Sequence, residues 1–198
     1  MKNLFKTIIL LYSISSFSQV GTVVPLNTFY QNIQSGTYRK DINNELDPFV
    51  GTWTMIKDNI KYTLVFQKMQ HLLVTYSSDF YNYEDRLVCK YETVDLNTNT
   101  IIYSTMNATL YDDFDIESLG GVSNGELEFD FYDTPRCNRS MEFRLYKMKF
   151  QPGTTIPYQV SYYNFGSDGY FPENCPYTNM DAVPFPLPLG SLVLTKQP

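Results

Sequence analysis

The chain is short of the groups most enzymes rely on. It has 1 histidine, His71, and 3 cysteines. No Gly-x-Ser-x-Gly elbow frames a serine, so a Ser–His–acid triad lacks its strained turn and has a single base to draw on. The cysteine spacing fits no zinc site, and only His71 could complete one. A glycine-rich phosphate loop is missing too, and no cofactor is implied. Basic residues number 15 against 21 acidic ones. An acidic chain repels phosphate backbones, which argues against nucleic acid and anionic membrane surfaces as partners. No window of ten or more residues carries a 3.6 period. Nothing after the first 18 residues is apolar enough to span a bilayer.

Residues 1–18 read as a secretory signal peptide. Lys2 and Lys6 supply a positive start, Thr7 to Phe17 is mostly apolar, and Ser16-Phe17-Ser18 is a small-x-small cleavage site. No cysteine follows it to carry a lipid. The expected location is therefore exported, periplasmic or extracellular. Of 198 residues, 180 remain after those 18, enough for one domain with a real core. Losing Lys2 and Lys6 from the 15 basic residues leaves 13 against 21 acidic. In an oxidising compartment three cysteines suggest one disulfide and one thiol. Cys137 and Cys175 lie in turn-rich stretches, whereas Cys89 sits in the strand pattern Arg86-Leu87-Val88-Cys89-Lys90-Tyr91. The expected pair is Cys137–Cys175.

What the chain has in quantity is tyrosine (17) and phenylalanine (14), residues that favour strands. Residues 19–47 read as an extended polar arm and 48–198 as a β domain. Phe49, Gly51, Trp53 and Met55 share one parity of the first strand, and Asp58-Asn59 turns it into a second, Lys61 to Lys68. His71 to Tyr76 is apolar, Ser77 to Tyr83 reads as an aromatic loop, and Glu84 to Thr93 as the third main strand. Thr109 to Glu117 reads as a further strand. Leu127, Phe129 and Phe131 alternate with Glu126, Glu128 and Asp130, after an Asn124-Gly125 turn. In Ser140 to Phe150 the apolar parity flips at Leu145-Tyr146, as a β-bulge would make it. Prolines at 184, 186 and 188 close a long loop, 164–188, before Ser191 to Thr195. The expectation is all-β: an antiparallel meander closing into a lipocalin-like β-barrel of about 8–10 strands.

Phe49-Val50-Gly51-Thr52-Trp53 resembles the opening strand of the calycins, the lipocalins and fatty-acid-binding proteins. In them the tryptophan closes one barrel end under a basic residue of the last strand. No Arg follows Arg144, so the likeness assigns that place to Lys196, and the helical lid of fatty-acid-binding proteins is missing. A second resemblance spans nearly the whole chain. Val24-Pro25-Leu26-Asn27-Thr28, Tyr38 with Lys40 to Asp47, Gly51-Thr52-Trp53 and Leu194-Thr195-Lys196-Gln197 look like a domain of unknown function. The family it resembles is one of small secreted bacterial proteins, common in flavobacteria-like species. It implies a compartment and a fold, and no activity.

Three functions stay open. A non-catalytic carrier would hold a small apolar ligand inside the barrel, lined by Trp53, Met55, Leu64, Phe66, Leu127, Phe129, Phe143 and Leu145. A surface module would recognise a protein or a glycan through tyrosine-rich loops, with Tyr81, Tyr83, Tyr163 and Tyr170 foremost. A hydrolase would need a carboxylate site, for which Asp112, Asp113, Asp115 and Glu117 are the densest acidic group. Asp113, Asp115 and Glu117 share strand parity and could in principle hold calcium, though no EF-hand glycine or twelfth-position glutamate accompanies them.

Overall fold

The computed structural model describes residues 21–133, Cys137, 139–146, 158–163, 175–178, 187–188 and 192–198. The expected leader 1–18, Tyr170 and most of the 164–188 loop lie outside the described residues. So does the end of the Ser140 to Phe150 stretch, where the parity flip was expected.

Eleven strands are described: β1 Val23–Pro25, β2 Tyr38–Lys40, β3 Gly51–Lys57, β4 Ile60–Ser77, β5 Phe80–Asp95, β6 Thr100–Ser104, β7 Ile116–Ser118, β8 Glu126–Asp133, β9 Arg139–Tyr146, β10 Tyr158–Tyr163 and β11 Leu192–Lys196. Turn chemistry sets the hairpins. Asp58 and Asn59 stand at φ 53° and 62° between β3 and β4, and Asn124 and Gly125 at 52° and 81° before β8. Asp, Asn and Gly enter that left-handed region at least cost.

Strands neighbour one another in the order β1-β2-β5-β4-β3-β11-β10-β9-β8-β7. β7 also pairs with β5, through Val88–Glu117 and Cys89–Ile116. The result is an all-β, mainly antiparallel sheet curled into an open half-barrel. β5 organises it. One edge runs against β4 for nearly its whole length, and the other is shared in turn by β2, β7 and β6.

Three local expectations change. The aromatic loop Ser77 to Tyr83 shrinks to a turn at Ser78 and Asp79, because the β4–β5 ladder runs on through Leu73–Tyr83 and Thr75–Tyr81. Thr109 to Glu117 is not one strand but a 3-10 turn, Tyr111–Asp113, followed by β7. The Asp113 carboxylate accepts the backbone N–H groups of Thr109 and Leu110, which holds a turn and leaves no ladder there. The arm 19–47 contributes β1 and β2, parallel to each other, with β2 parallel to β5. It buries Leu26 and Leu46.

Side chains fill the concave side. Trp53 and Met55 of β3, Leu64 and Phe66 of β4, Leu87, Cys89 and Tyr91 of β5, and Leu127, Phe129 and Phe131 of β8 form one cluster with Leu145 and Leu194. Phe66 and Phe129 lie 5.2 Å apart, Tyr91 and Phe131 5.3 Å. One end is stoppered by Leu46 and Phe49, both at 0% exposure. Beside them the Trp53 indole donates to the Phe49 carbonyl at 2.8 Å. Lys196 lies across that end, its Nζ 5.4 Å from the Trp53 ring centroid and 3.1 Å from the Pro48 carbonyl. Gly51 makes this possible. Its φ is +123°, and a Cβ there would stand 3.1 Å from Lys196 Cε.

Cys137 and Cys175 form a disulfide with Cα atoms 5.4 Å apart, and Cys89 is a buried free thiol. Burial pushes the Cys89 thiol well above its ordinary pKa.

Two outcomes follow from this packing. Trp53→Ala leaves a large void under Lys196 and costs roughly 3–5 kcal/mol in urea unfolding, while native wild-type tryptophan emission is that of a buried indole. Reducing the disulfide, which spans 38 residues, costs up to about 4 kcal/mol on the chain-entropy account. Non-reducing peptide mapping recovers Cys137 joined to Cys175 and Cys89 alkylated only after unfolding.

Candidate functional site

The β4–β5 hairpin outruns the core, and at its far end lies a cleft of about 690 Å³. Its lining comes from the hairpin (His71, Tyr81, Tyr83) and from the arm (Gly21 to Val23, Gln34 to Tyr38). A bulge brings His71 there. The register steps from Met69–Arg86 to Leu72–Glu84, so Gln70 and His71 together face Asp85. His71 stands at φ +57°, a conformation histidine tolerates better than most residues. The extra residue shifts the parity of β4. Before it, even-numbered residues face the core; after it, odd-numbered ones share the face of Tyr81, Tyr83 and Asp85.

The aromatic rings then assemble. His71 stacks on Tyr83 at 4.2 Å and 12°, Tyr38 meets His71 edge-on at 4.6 Å, and Tyr81 meets Tyr83 edge-on at 6.1 Å. Behind them Asp85, at 0% exposure, closes the core. Its Oδ1 accepts the Tyr38 hydroxyl at 2.5 Å and the His71 backbone N–H at 3.1 Å, and its Oδ2 accepts the Asp41 N–H at 3.0 Å. Burial first, then the bond to the Asp85 carboxylate, holds the Tyr38 hydroxyl far above its ordinary pKa, so it stays protonated. The opposite wall is the turn Gln34 to Thr37, closed by Thr37 N–H to Gln34 O at 3.1 Å, with Gly36 at φ +84° where such a turn requires glycine. The Gly36 N–H bonds the Tyr81 carbonyl at 2.8 Å.

The other face of the same hairpin carries a buried charge cluster. Glu84, at 0% exposure, accepts Arg39 Nη1, Tyr76 Oη and Asn82 Nδ2, each at 2.7 Å, and Arg86 Nε at 3.1 Å. Arg86 passes the connection to Glu117 at 2.7 Å, which Tyr111 also meets, and Arg39 Nη2 bonds the Leu26 carbonyl at 2.6 Å. Two guanidinium groups face two carboxylates, so the charges balance. Burial pulls the Glu84 pKa up, but Arg86, Tyr76 and Arg39 outweigh it and hold the group below the ordinary glutamate value.

Of the residues expected to bind a ligand, the structure gathers Tyr81 and Tyr83 in the cleft, on strand β5. Trp53, Met55, Phe66 and Phe129 are core residues packed on other side chains. Phe143 and Tyr163 are placed by strand register, opposite Phe129 and Glu142. The acidic group does not line one strand face: Asp113 caps its turn, Asp115 accepts the Tyr103 hydroxyl, and Glu117 meets Arg86 and Tyr111. Among the described residues no three His, Cys, Asp or Glu side chains are grouped to hold a metal. Sequence reasoning missed Tyr38, His71 and the Gln34 to Thr37 turn. Only the dipeptide Ser35-Gly36 hinted at the turn, and nothing local tied it to the hairpin.

The charge cluster sets a pH dependence. A carboxylate whose folded pKa is depressed stabilises the fold above its unfolded value, near 4.3. That contribution is lost as pH falls through the folded value. Glu84→Gln leaves Arg39 and Arg86 short of counter-charge and costs roughly 3–5 kcal/mol at neutral pH. In urea unfolding at a series of pH values, its deficit against wild type narrows on acidification below that range.

No curated protein and no solved structure matches the chain. The sequence does match the family described as "Family of unknown function (DUF6705)" over residues 1–197, and the chain belongs to that family.

Proposed function

We propose that this is an exported, non-catalytic recognition protein that binds its target at the aromatic cleft, and that its curled sheet goes on to close as a filled barrel serving as scaffold. The observation that carries the reading is where the space lies. Core rings and aliphatic side chains pack the concave side, while about 690 Å³ opens between Tyr38, His71, Tyr81 and Tyr83. Closure of the barrel is supported by the pairing of β7 back onto β5. Its calycin likeness is supported by Lys196 lying over Trp53. Export is supported by the Cys137–Cys175 bridge, a bond that persists in oxidising compartments, and by the leader-like residues 1–18. A rigid tyrosine platform presents large amphipathic area with few rotatable bonds, which suits recognition of a protein or a glycan.

An environment-sensitive apolar dye and a panel of immobilised glycans and peptides test this together. The expected outcome is no saturable dye binding, with retention on at least one panel member that His71→Ala and Tyr81→Ala weaken while unfolding stays cooperative. Saturable dye uptake displaced by a Phe129→Trp filling of the interior would return the carrier reading.

A further inference from the structure

Resting on that reading of the cleft, we propose that its ligand is a neutral saccharide, one sugar ring laid against Tyr81 with its hydroxyls bonded by Gln34 and Thr22. The chemistry of the walls selects the class. Among the described residues, no lysine, arginine, aspartate or glutamate lines the cleft. The nearest carboxylate behind it, Asp85, has both oxygens engaged by Tyr38, His71 and Asp41. A phosphate, sulfate, carboxylate or ammonium ligand would therefore shed its hydration without meeting a counter-charge. A wholly apolar ligand fares no better, since on the arm side it would cover the Gln34 amide and the Thr22 hydroxyl without bonding them.

What suits both walls is a molecule with C–H faces and a polar, uncharged rim. The C–H face of a sugar ring packs on an aromatic ring, and its hydroxyls both donate and accept, as amide and hydroxyl side chains do. Tyr81 is the free platform. It is 41% exposed, it touches Tyr83 only edge-on, and the neighbouring Gly36 has no side chain to cover its hydroxyl end. Tyr83 is less available because His71 occupies one of its faces. The cleft volume falls within the roughly 300–1,000 Å³ typical of small-ligand sites, enough for a short stretch of glycan.

The test is an amide NMR titration of the disulfide-intact protein with neutral oligosaccharides: glucan, mannan, galactan, xylan and chitin fragments. Tyrosine-rich and proline-rich peptides serve as the comparison set. At least one oligosaccharide is expected to give saturable shifts confined to residues 21–23, 34–38, 71 and 81–83. Its affinity should ignore added salt, because no ion pair forms. Tyr81→Phe keeps the ring and keeps binding, whereas Tyr81→Ala weakens it about tenfold, the worth of one aromatic contact. Retained dispersion of the core amides shows that each variant is folded. Shifts from peptides with none from any sugar overturn the saccharide assignment and leave the cleft as a recognition site. Silence from both sets overturns the two together. Sugar binding that is steeply salt-dependent, or equal in Tyr81→Ala, overturns the proposed mode.

Discussion

One buried carboxylate ties together parts of this molecule that are far apart in sequence. Glu84 draws Arg39 from the arm, Tyr76 from the opposing strand and Arg86 from its own, and through Arg86 it reaches Glu117 on β7. Glu84, Arg39 and Arg86 alone would each be a costly charged group away from water. Together they balance one another's charge, and the loss of Glu84 leaves both guanidinium groups short of counter-charge. Apolar packing supplies most of the stability of the half-barrel, but it does not specify where a polar arm should lie. The charge cluster does.

The two faces of the β4–β5 hairpin consequently do different work. The even-numbered face of β5, with Asn82, Glu84 and Arg86, anchors the arm. The odd-numbered face runs from the core residues Cys89 and Leu87 through Asp85 to Tyr83 and Tyr81 in the cleft. Asp85 is the divide: its carboxylate ends the apolar interior and orients Tyr38 and the His71 backbone on the cleft side. Because the arm forms one cleft wall and Glu84 fixes the arm, the cleft's shape is set by residues that do not line it.

Features that depend on near neighbours were legible in the sequence. Asp58-Asn59 and Asn124-Gly125 announce turns by their tolerance of positive φ. Leu127, Phe129 and Phe131 announce a half-buried strand by alternation. Gly51 and Trp53 announce an anchored first strand, and the company Cys137 and Cys175 keep announces a bridge. What stayed hidden is non-local. Apolar and aromatic residues run unbroken from His71 to Val74 and carry no parity, so the bulge that turns His71 toward Tyr83 leaves no trace. A glutamate between an asparagine and an arginine reads as surface by base expectation. Its burial follows from Arg39, 45 residues away, which no local pattern connects to it. The Thr109 to Glu117 stretch misread as a strand for a different reason: the Asp113 carboxylate bonds the nearby Thr109 and Leu110 N–H groups and holds a turn where a ladder was expected.

The divided edge of β5 bears on how the chain assembles. β6 reaches it through the short turn after Asp95, β7 through a longer excursion, and β2 from across more than forty residues. The entropy of closing a loop grows with its length, so the β4–β5 hairpin with β6 is the cheapest nucleus and the arm docks late. In that interval the stretch of β5 from Asn82 to Arg86 is an open ladder, the kind of edge that recruits a second unfolded chain. Glu84 and Arg86 sit on it. Charges on a bare strand edge discourage such pairing, because a stranger's strand would bury them without Arg39 and Glu117. The pair that pins the arm thus also charges the edge of β5 wherever the arm has not yet brought Arg39 to it.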